Sequence, residues 1–356
     1  PPAACRDASR RFAAPAAIRS WEQDELSPLL WTGCAPTFPR GRWGPDSSKS
    51  MSEPSHQPGR APGPPESGWS LTYSLADQNV RTTKSIGIYN FSVQLARHLA
   101  ECEAFQHLTL LSNPGIQPQF PDSPRLSVRV HPEAIRSRWG RILWDQWGVY
   151  RAARRAGHPW LFLPKGFCSF LCRPPVRLAA YVHDIMGDYY RRHYPGVESW
   201  LESEYFARSL RATLRHASVF TNTEFSKREI MDLARRRGLP EPRVIRAGYG
   251  FTPAPSREPA PKENRVLLFA SSWPHKRTDL GIRFLQHWLR QRPFEGTIDC
   301  IGVFSGEIPR PSSPAWRWIG RVPPEEGRAM IRRSRVVVYP SEYEGFGMPP
   351  VEAVLE

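Results

Sequence analysis

The feature that most constrains the fold is a strand, a glycine loop and a helix start within residues 335–356. Residues 336–338 are a β-branched run, which is typical of a buried strand in a parallel sheet. Gly345 and Gly347 mark the loop, and the Pro-Pro pair after it suits a first helical turn, where N–H donors are not needed. In an α/β sheet, such a unit places a helix N-terminus at the carboxyl end of a strand, where anionic ligands bind.

Two carboxylates frame this loop, Glu344 before it and Glu352 on the helix. A carboxylate accepts two or more hydrogen bonds, so residues at these places suit a ligand that is rich in hydroxyl groups. A glycine loop is a weak signal by itself. The spacing therefore leaves a second interpretation open, in which both glutamates lie on the surface and only complement the helix dipole.

The full string from Glu344 to Glu352, EGFGMPPVE, resembles the signature of the retaining GT-B glycosyltransferases of the GT4 family. The resemblance implies that Glu344 contacts hydroxyls of the donor sugar and that Glu352 binds the ribose of the nucleotide. It also implies that the loop amides of Gly345, Phe346 and Gly347 approach the sugar and the diphosphate.

Strands and helices alternate from residue 69 onward, which predicts an α/β fold. The resemblance implies the GT-B form of this fold, with two Rossmann-like domains whose parallel sheets face each other across a cleft. We expect an N-terminal, acceptor-side domain over 69–250, a proline-rich linker over 251–263 and a nucleotide-sugar-binding domain over 264–356. Residues 1–68 are rich in Pro, Gly and Ser and are predicted to be disordered.

A first strand at 69–75 and a helix at 91–101 are separated by a segment that contains Gly87 and Tyr89. The segment lacks the G-x-G-x-x-G spacing of a dinucleotide site. It resembles the N-terminal glycine loop of the GT4 family, which implies that Gly87 and Tyr89 lie in a loop near the acceptor. The alternative is that Gly87 simply marks a turn.

His183 and Asp184 directly follow a predicted strand at 176–182, at the carboxyl end of the sheet. From these residues alone, His183 could equally be a structural histidine that its neighbour holds in place. The GT4 resemblance implies that His183 is the cleft histidine of the family, which hydrogen-bonds the donor sugar. Asp184 would then orient the imidazole ring.

A helix start is predicted at Ser226, because Ser226 and Glu229 have the three-residue spacing of a capping box. The strand predicted before it, at 218–222, completes a strand–helix unit. This unit resembles the last long strand–helix unit of the N-terminal domain in the GT4 family.

Lys276 follows a predicted strand at 265–270, where strand gives way to helix. A cation there can neutralise a diphosphate leaving group. A lysine at a helix start opposes the helix dipole, which favours a functional lysine over a merely solvated one. The string PHKR resembles the phosphate-binding segment of the GT4 family, whose lysine corresponds to Lys276. Many members carry an arginine a few residues earlier, but residues 270–272 hold none, so Arg277 is the candidate for a second cation.

The chain carries a formal net charge of +15, and its arginines far outnumber its lysines. A nucleic-acid partner would account for this excess. The arginines are dispersed along the chain rather than set in one helix, so a GC-rich coding bias is the favoured explanation and no nucleic acid is expected. A basic face could also hold a peripheral enzyme on an anionic lipid surface.

No run of residues approaches the ~18 to 20 apolar residues of a membrane span, and no secretory signal pattern opens the chain. Six cysteines are scattered without the spacing of a zinc site, which indicates free thiols in a reducing cytosol. We therefore expect a cytoplasmic protein that could lie at the inner face of the membrane. Because the chain stops inside the motif helix and does not begin with Met, we also expect a fragment with an incomplete second domain.

These patterns and the resemblance together predict transfer of a hexose from a GDP- or UDP-sugar to a glycan, a lipid-linked compound or another hydroxyl acceptor, in glycan or polysaccharide synthesis. Retention of anomeric configuration is carried over from the family. No Asp-x-Asp motif occurs, so we predict no metal, and no cofactor besides the nucleotide-sugar co-substrate. The alternatives are an inactive GT-B-like fragment that binds nucleotide-sugar, a nucleic-acid binder, and a phosphorylase or epimerase on the same fold.

Overall fold

Two parallel β-sheets with helices packed against them make up the described part of the chain in a computed structural model. They confirm the predicted α/β fold and belong to one compact unit. The structure describes residues 68–78, 86–120, 123–250, 260–304 and 308–356. The disorder predicted for residues 1–68 therefore falls almost wholly outside the described residues. Most of the predicted linker does too, so the domain boundaries stay predictions.

The first sheet has seven described strands, all parallel, in the order β3-β2-β1-β4-β5-β6-β7. The order reverses between β1 and β4, and ligands of α/β sheets bind at the carboxyl ends of strands near such a point. The strands are β1 (Trp69–Ser74), β2 (Phe105–Ser112), β3 (Leu126–Val130), β4 (Trp160–Leu163), β5 (Arg177–Tyr181), β6 (Ala217–Thr221) and β7 (Val244–Arg246).

Six described helices accompany this sheet, and a single π-helical turn joins the second to the third. The helices are α1 (Ile86–Glu101), α2 (Arg138–Leu143), α3 (Val149–Ala156), α4 (Met186–His193), α5 (Trp200–His216) and α6 (Glu224–Arg236). The π-helical turn spans Trp144–Gly148.

The second sheet has four described strands, also parallel, in the order β10-β9-β8-β11. Its strands are β8 (Glu263–Ser271), β9 (Thr297–Val303), β10 (Trp316–Gly320) and β11 (Ser334–Val338). Its helices are α7 (Thr278–Gln291), α8 (Pro324–Arg333) and α9 (Met348–Leu355). The alternation of strand and helix matches the order predicted from the sequence.

Apolar side chains fill the space between each sheet and its helices. In the first sheet, Leu108 and Leu110 of β2 are fully buried and share a cluster with Val93 of α1. In the second, Leu268 of β8 is fully buried beside Ile282 of α7. Burial on both faces explains why these strands read as continuous apolar runs in the sequence.

Helix α1 begins at Ile86, five residues before the predicted start, so Gly87 and Tyr89 lie in a helix and the predicted loop is wrong at these positions. The reason is the apolar stripe of the helix. Tyr89 is buried with Val93 and Ala96, which follow it at helical spacing. The Tyr89 hydroxyl also accepts a hydrogen bond from Gln119 Nε2 at 2.7 Å.

The predicted capping box is also wrong. Helix α6 begins at Glu224, and its N-cap is Thr223, whose Oγ1 accepts a hydrogen bond from the Ser226 backbone N–H at 3.0 Å. Glu229 lies 3.6 Å from Arg192 instead of reaching back to the cap. The Ser226 hydroxyl therefore does not cap the helix and makes the contacts described below.

Strand β11 lies at the edge of the described second sheet, next to β8. Its register pairs Val336 with Val266 and Val338 with Leu268. The sequence predicted a buried strand, but in this edge strand Val336 is 50% exposed. The site depends on the neighbouring positions of β8 and β11, because the candidate residues follow these two strands.

Among the described helices, none has the length and apolar character that crossing a membrane requires.

Candidate active site

An ion pair between Lys276 and Glu344 lies beyond the carboxyl ends of two neighbouring parallel strands. Lys276 ends a short 3-10 turn after β8, and Glu344 belongs to the loop after β11. Because β8 and β11 pair in parallel, their following loops leave the sheet on the same side. The structure thus brings together two residues that are 68 positions apart in the chain.

Three donors converge on one oxygen of Glu344, its Oε1. Lys276 Nζ donates one hydrogen bond. The hydroxyls of Tyr339 and Ser341 donate the others, each at 2.5 Å. Lys276 Nζ also donates to the Tyr339 hydroxyl at 2.6 Å and lies 5.0 Å from the centroid of that ring. No described residue donates a hydrogen bond to Oε2, the other carboxylate oxygen of Glu344.

Glu344 is held as a carboxylate. Burial by itself would raise its pKa, but the charge of Lys276 and its hydrogen bond lower it. The hydroxyls of Ser341 and Tyr339 lower it further, so the net shift is downward. An ionised acceptor at this place accepts stronger hydrogen bonds than a neutral one.

Glu352 lies on α9, and no described residue donates a hydrogen bond to its carboxylate. Burial raises its pKa, although the charge of Arg328 opposes this. Burial also raises the pKa of Tyr339, and the negative charges of Glu344 and Glu352 both add to that rise. Glu352 therefore lies within electrostatic range of Tyr339, which contacts the pair, and its place at the nucleotide ribose stays a prediction.

The loop at 345–347 reaches the first sheet. The Gly345 carbonyl accepts hydrogen bonds from Thr223 Oγ1 at 2.8 Å and from Ser226 Oγ at 3.1 Å. The Phe346 ring packs edge-on against Tyr249, with centroids 4.7 Å apart. Gly347, at φ +78°, occupies the N-cap position of α9 in a backbone conformation that favours glycine.

His183 is buried and has a protein partner on each ring nitrogen. Nε2 lies 2.8 Å from the Pro164 carbonyl, and Nδ1 lies 2.5 Å from the Tyr249 hydroxyl. A carbonyl can only accept, so the proton is on Nε2 and Nδ1 accepts from Tyr249. Burial lowers the pKa of His183 to about 4, although the Pro164 bond opposes this shift. His183 is therefore neutral at neutral pH.

Asp184 does not orient the His183 ring, which corrects the sequence prediction. One of its carboxylate oxygens accepts a hydrogen bond from the Met186 backbone N–H at 2.9 Å, at the start of α4. The ring is oriented instead by Pro164, which follows the adjacent strand β4, and by Tyr249. These partners are distant in sequence, so neighbouring positions could not reveal them.

Arg277 is the only non-glycine residue at positive φ among those described, with φ +45°. Its guanidinium lies 2.8 Å from Glu342 and 3.4 Å from Asp279. Arg277 thus borders the Lys276 turn but is held by two carboxylates, and its role as a second phosphate cation stays a prediction. Gly87 and Tyr89 lie in α1, and their assignment to the acceptor side also stays a prediction.

Helix α4 was not predicted from the sequence, yet its tyrosines contact the loop after β11. The hydroxyls of Tyr189, at 2.7 Å, and Tyr194 donate to Glu342. The Tyr189 ring stacks on Tyr343 at 4.2 Å between centroids, and the Tyr190 hydroxyl lies 2.5 Å from His275 Nδ1. The string DYYRRHY at 188–194 was the available signal, because it concentrates aromatic side chains directly after a strand.

The buried histidines His183 and His275 should each contribute a loss of unfolding free energy as the pH is lowered from about 6.5 to 4. Burial lowers the pKa of His275 to about 4, helped by the charge of Lys276, and burial lowers that of His183 equally far. As the pH falls, these histidines bind protons in the unfolded chain before they do so in the folded protein. The stabilising contribution of each histidine, up to about 3 kcal/mol, is therefore present above pH 6.5 and lost on acidification.

Urea unfolding at a series of pH values would measure this loss. His275→Gln should lose less unfolding free energy than the wild type over this range, by up to about 3 kcal/mol, because the other titrating groups are common to both proteins and one histidine no longer titrates. His98→Gln is the control, since the His98 side chain is 67% exposed. If His275→Gln and the wild type lost the same unfolding free energy between pH 6.5 and 4, a neutral, buried His275 would be contradicted.

Within the described residues, no three His, Cys, Asp or Glu side chains are grouped so that they could hold a metal ion. The predicted independence from metal stays a prediction, because it concerns the reaction.

The family described as Glycosyl transferases group 1 matches residues 313–355, which contain Glu344 and Glu352. No curated protein sequence matches the chain.

Three solved structures are similar to the chain at low sequence identity. WaaG, "a glycosyltransferase involved in lipopolysaccharide biosynthesis", is 13% identical with a TM-score of 0.51, over 80% of this chain and 78% of WaaG. TarM is 14% identical with a TM-score of 0.40, over 55% of this chain, and this chain spans only 39% of TarM. Arabidopsis thaliana UGT89C1, solved with UDP, is 11% identical with a TM-score of 0.42, over 76% of this chain and 74% of that protein.

At these identities, the likeness to WaaG bears on the fold and not on the substrate. The family match bears on the segment that carries the glycine loop and its two carboxylates. The chain therefore has the GT-B fold, and its residues 313–355 match the group 1 glycosyl transferases.

Proposed function

We propose that this protein transfers a sugar from a nucleotide-sugar donor to a hydroxyl acceptor. The observation that carries the proposal is the Lys276–Glu344 pair beyond the carboxyl ends of β8 and β11. Its glutamate lies inside the segment that matches a glycosyltransferase family. A cation and a carboxylate so placed suit the two unlike parts of a nucleotide-sugar, its diphosphate and its hydroxyl-bearing sugar.

Glu344 would receive the sugar. Its Oε1 already has three donors, whereas Oε2 has none among the described residues. An ionised carboxylate oxygen has two lone pairs that can accept hydrogen bonds, so Oε2 can bind one or two sugar hydroxyls. This supports the assignment of Glu344 to the donor sugar.

Lys276 would receive the diphosphate. An ammonium group has three protons, and Lys276 uses two of them, toward Glu344 and the Tyr339 hydroxyl. The third has no described partner. When the bond between the anomeric carbon and the phosphate oxygen breaks, its electron pair goes to the diphosphate, and an adjacent ammonium stabilises that developing charge.

The start of α9 adds backbone donors at the same place. The N-cap and first three helical residues have N–H groups without a partner inside the helix, but two of these positions are Pro349 and Pro350, which have no N–H. The donors that remain are the amides of Gly347 and Met348. They are few, but they lie at the positive end of the helix dipole and next to the glycine loop.

The finer assignments belong to the same proposal. We infer a GDP- or UDP-hexose donor, with Glu352 at the ribose, and a glycan, lipid-linked or other hydroxyl acceptor. The new glycosidic bond forms between the anomeric carbon and the acceptor oxygen, whose proton passes to the departing diphosphate, with retention of configuration as the resemblance implies. His183 would be uncharged during this reaction, because burial lowers its pKa to about 4.

A panel of UDP- and GDP-sugars, tested on the full chain, examines the proposal. Calorimetry reports donor binding, and a nucleoside diphosphate assay reports turnover with and without hydroxyl acceptors. We expect binding of at least one donor and a release of nucleoside diphosphate that depends on acceptor. Binding without any release would indicate a nucleotide-sugar-binding protein without transferase activity. The absence of binding to every donor would overturn the proposal.

A further inference from the structure

Tyr339 contacts both ions of the candidate site through one atom. Its hydroxyl donates to Glu344 Oε1 at 2.5 Å and accepts from Lys276 Nζ at 2.6 Å. Tyr339 directly follows β11, so the strand fixes the position from which its side chain extends. A hydroxyl that donates to the anion and accepts from the cation sets the distance between them.

Ser341 completes the environment of the same carboxylate oxygen. Its Oγ lies 2.5 Å from Glu344 Oε1 and 3.3 Å from the carbonyl oxygens of His275 and Tyr343. A hydroxyl has one proton, and the short contact with a charged acceptor is the stronger bond. Ser341 therefore donates to Glu344.

Three donors on Oε1 restrict rotation of the Glu344 carboxylate. Turning the group would exchange Oε1 for Oε2 and would break the bonds from Lys276, Tyr339 and Ser341 together. The carboxylate is thus prepared in one orientation before any ligand binds, which reduces the entropy lost on binding.

We propose that Tyr339 and Ser341 are positioning residues, which anchor Oε1 of Glu344 so that Oε2 stays aimed at the donor sugar. Tyr339 also positions the ammonium group of Lys276 for the diphosphate. The proposal rests on the proposed function of this site. It adds that the two oxygens of Glu344 have different roles, since Oε1 is anchored by the protein and Oε2 binds the donor sugar.

Packing and positioning can be separated for both residues. Tyr339→Phe keeps the ring that lies 6.1 Å from the Phe269 ring and 5.0 Å from Lys276 Nζ, and it removes only the hydroxyl. Ser341→Ala removes one hydroxyl from a partly buried position. Tyr205→Phe is the matched control, because its hydroxyl also donates to a carboxylate, Asp145, at 3.1 Å, outside the candidate site.

Donor affinity should fall at low pH, when Glu344 becomes protonated, and we call this fall the acid limb of donor binding. Its position on the pH scale is a readout that a purely structural role would not change. Lys276, Tyr339 and Ser341 contact Glu344, while Asp184, Tyr190 and His275 interact with its charge. The hydrogen bonds from Ser341 and Tyr339 help to lower the pKa of Glu344. Removing either hydroxyl should raise this pKa, so donor binding should begin to fail at a higher pH.

The experiment measures binding to the full chain by calorimetry across pH 4–8, with UDP-glucose and GDP-mannose each compared with UDP or GDP. Ser341→Ala should weaken binding of the nucleotide-sugar about tenfold and leave the nucleoside diphosphate unchanged. Tyr339→Phe should weaken both ligands about tenfold, because it serves both ions. Both variants should move the acid limb upward, and Tyr205→Phe should leave it in place.

Two results would overturn the inference, and they are distinguishable. If the wild type binds a nucleotide-sugar and both variants match it in affinity and acid limb, the positioning role is wrong while the proposed function stands. That conclusion would hold even if the variants had a lower thermal midpoint. If the wild type binds none of the nucleotide-sugars, the proposed function fails first, and the inference fails with it.

Discussion

Replacing Lys276 by Met should weaken binding of UDP or GDP to the full chain by at least about tenfold, or about 1.4 kcal/mol. The substitution keeps most of the side-chain volume and removes the cation that we place at the diphosphate. It also leaves Glu344 without the positive charge that does most to lower its pKa. Calorimetry of the nucleoside diphosphate alone isolates this effect from contacts with the sugar.

Lys262→Met provides the matched control, since Lys262 is exposed and its Nζ donates to the Arg332 carbonyl, outside the site. Lys276→Met should also change how the stability of the protein depends on pH. The pKa of Glu344 is lower in the folded protein than its usual 4.5, so the ion pair stabilises the fold above that pH. This contribution is lost as the pH falls through the lowered value. A variant equal to the wild type in UDP and GDP affinity would exclude Lys276 from diphosphate binding.

Gly345→Ala should displace the loop that carries Glu344, with a loss of donor binding of at least about tenfold and a stability cost of about 1–3 kcal/mol. A Cβ at this position would lie 2.4 Å from the His183 carbonyl oxygen and 3.0 Å from Asp184 Cβ. The carbonyl cannot yield easily, because it accepts a hydrogen bond from Asn222 Nδ2 at 2.9 Å. The loop must therefore move, and its bonds to Thr223 and Ser226 are lost.

Gly327→Ala is the control for this substitution. Gly327 lies within helix α8, where an added Cβ meets Val322 at an ordinary 3.5 Å and where alanine is the better helix former. It should be neutral or stabilising in urea unfolding and unchanged in donor binding. A Gly345→Ala protein that binds donor like the wild type would show that the loop does not need its contact with the first sheet.

Local patterns predicted much of this structure because they depend on neighbouring residues. The strand at 126–130 was predicted with its observed bounds, and the strand before Lys276 was placed within two residues of each end. The meeting of Lys276 with Glu344 also followed from a local rule, since residues after parallel strands gather at one edge of a sheet. What the sequence did not contain was which strands are neighbours.

The remaining features depend on contacts between distant segments. The partners of His183, Pro164 and Tyr249, lie 19 and 66 positions away, so the adjacent Asp184 was a misleading choice. The capping-box prediction was wrong because Thr223, three residues before Ser226, is the N-cap of α6. Helix α4 was missed because its stability comes from packing against the loop after β11 rather than from its own propensity.

The pairing of β11 with β8 has a consequence for folding kinetics. Strand β8 pairs with a strand about 70 residues later in the chain, and the entropy cost of closing so long a loop delays such contacts. A nascent chain that has formed β8, β9 and β10 carries Lys276 but no Glu344 to face it. The proposed ligand site therefore forms only when β11 docks beside β8, and nucleotide-sugar capture during refolding would time that docking.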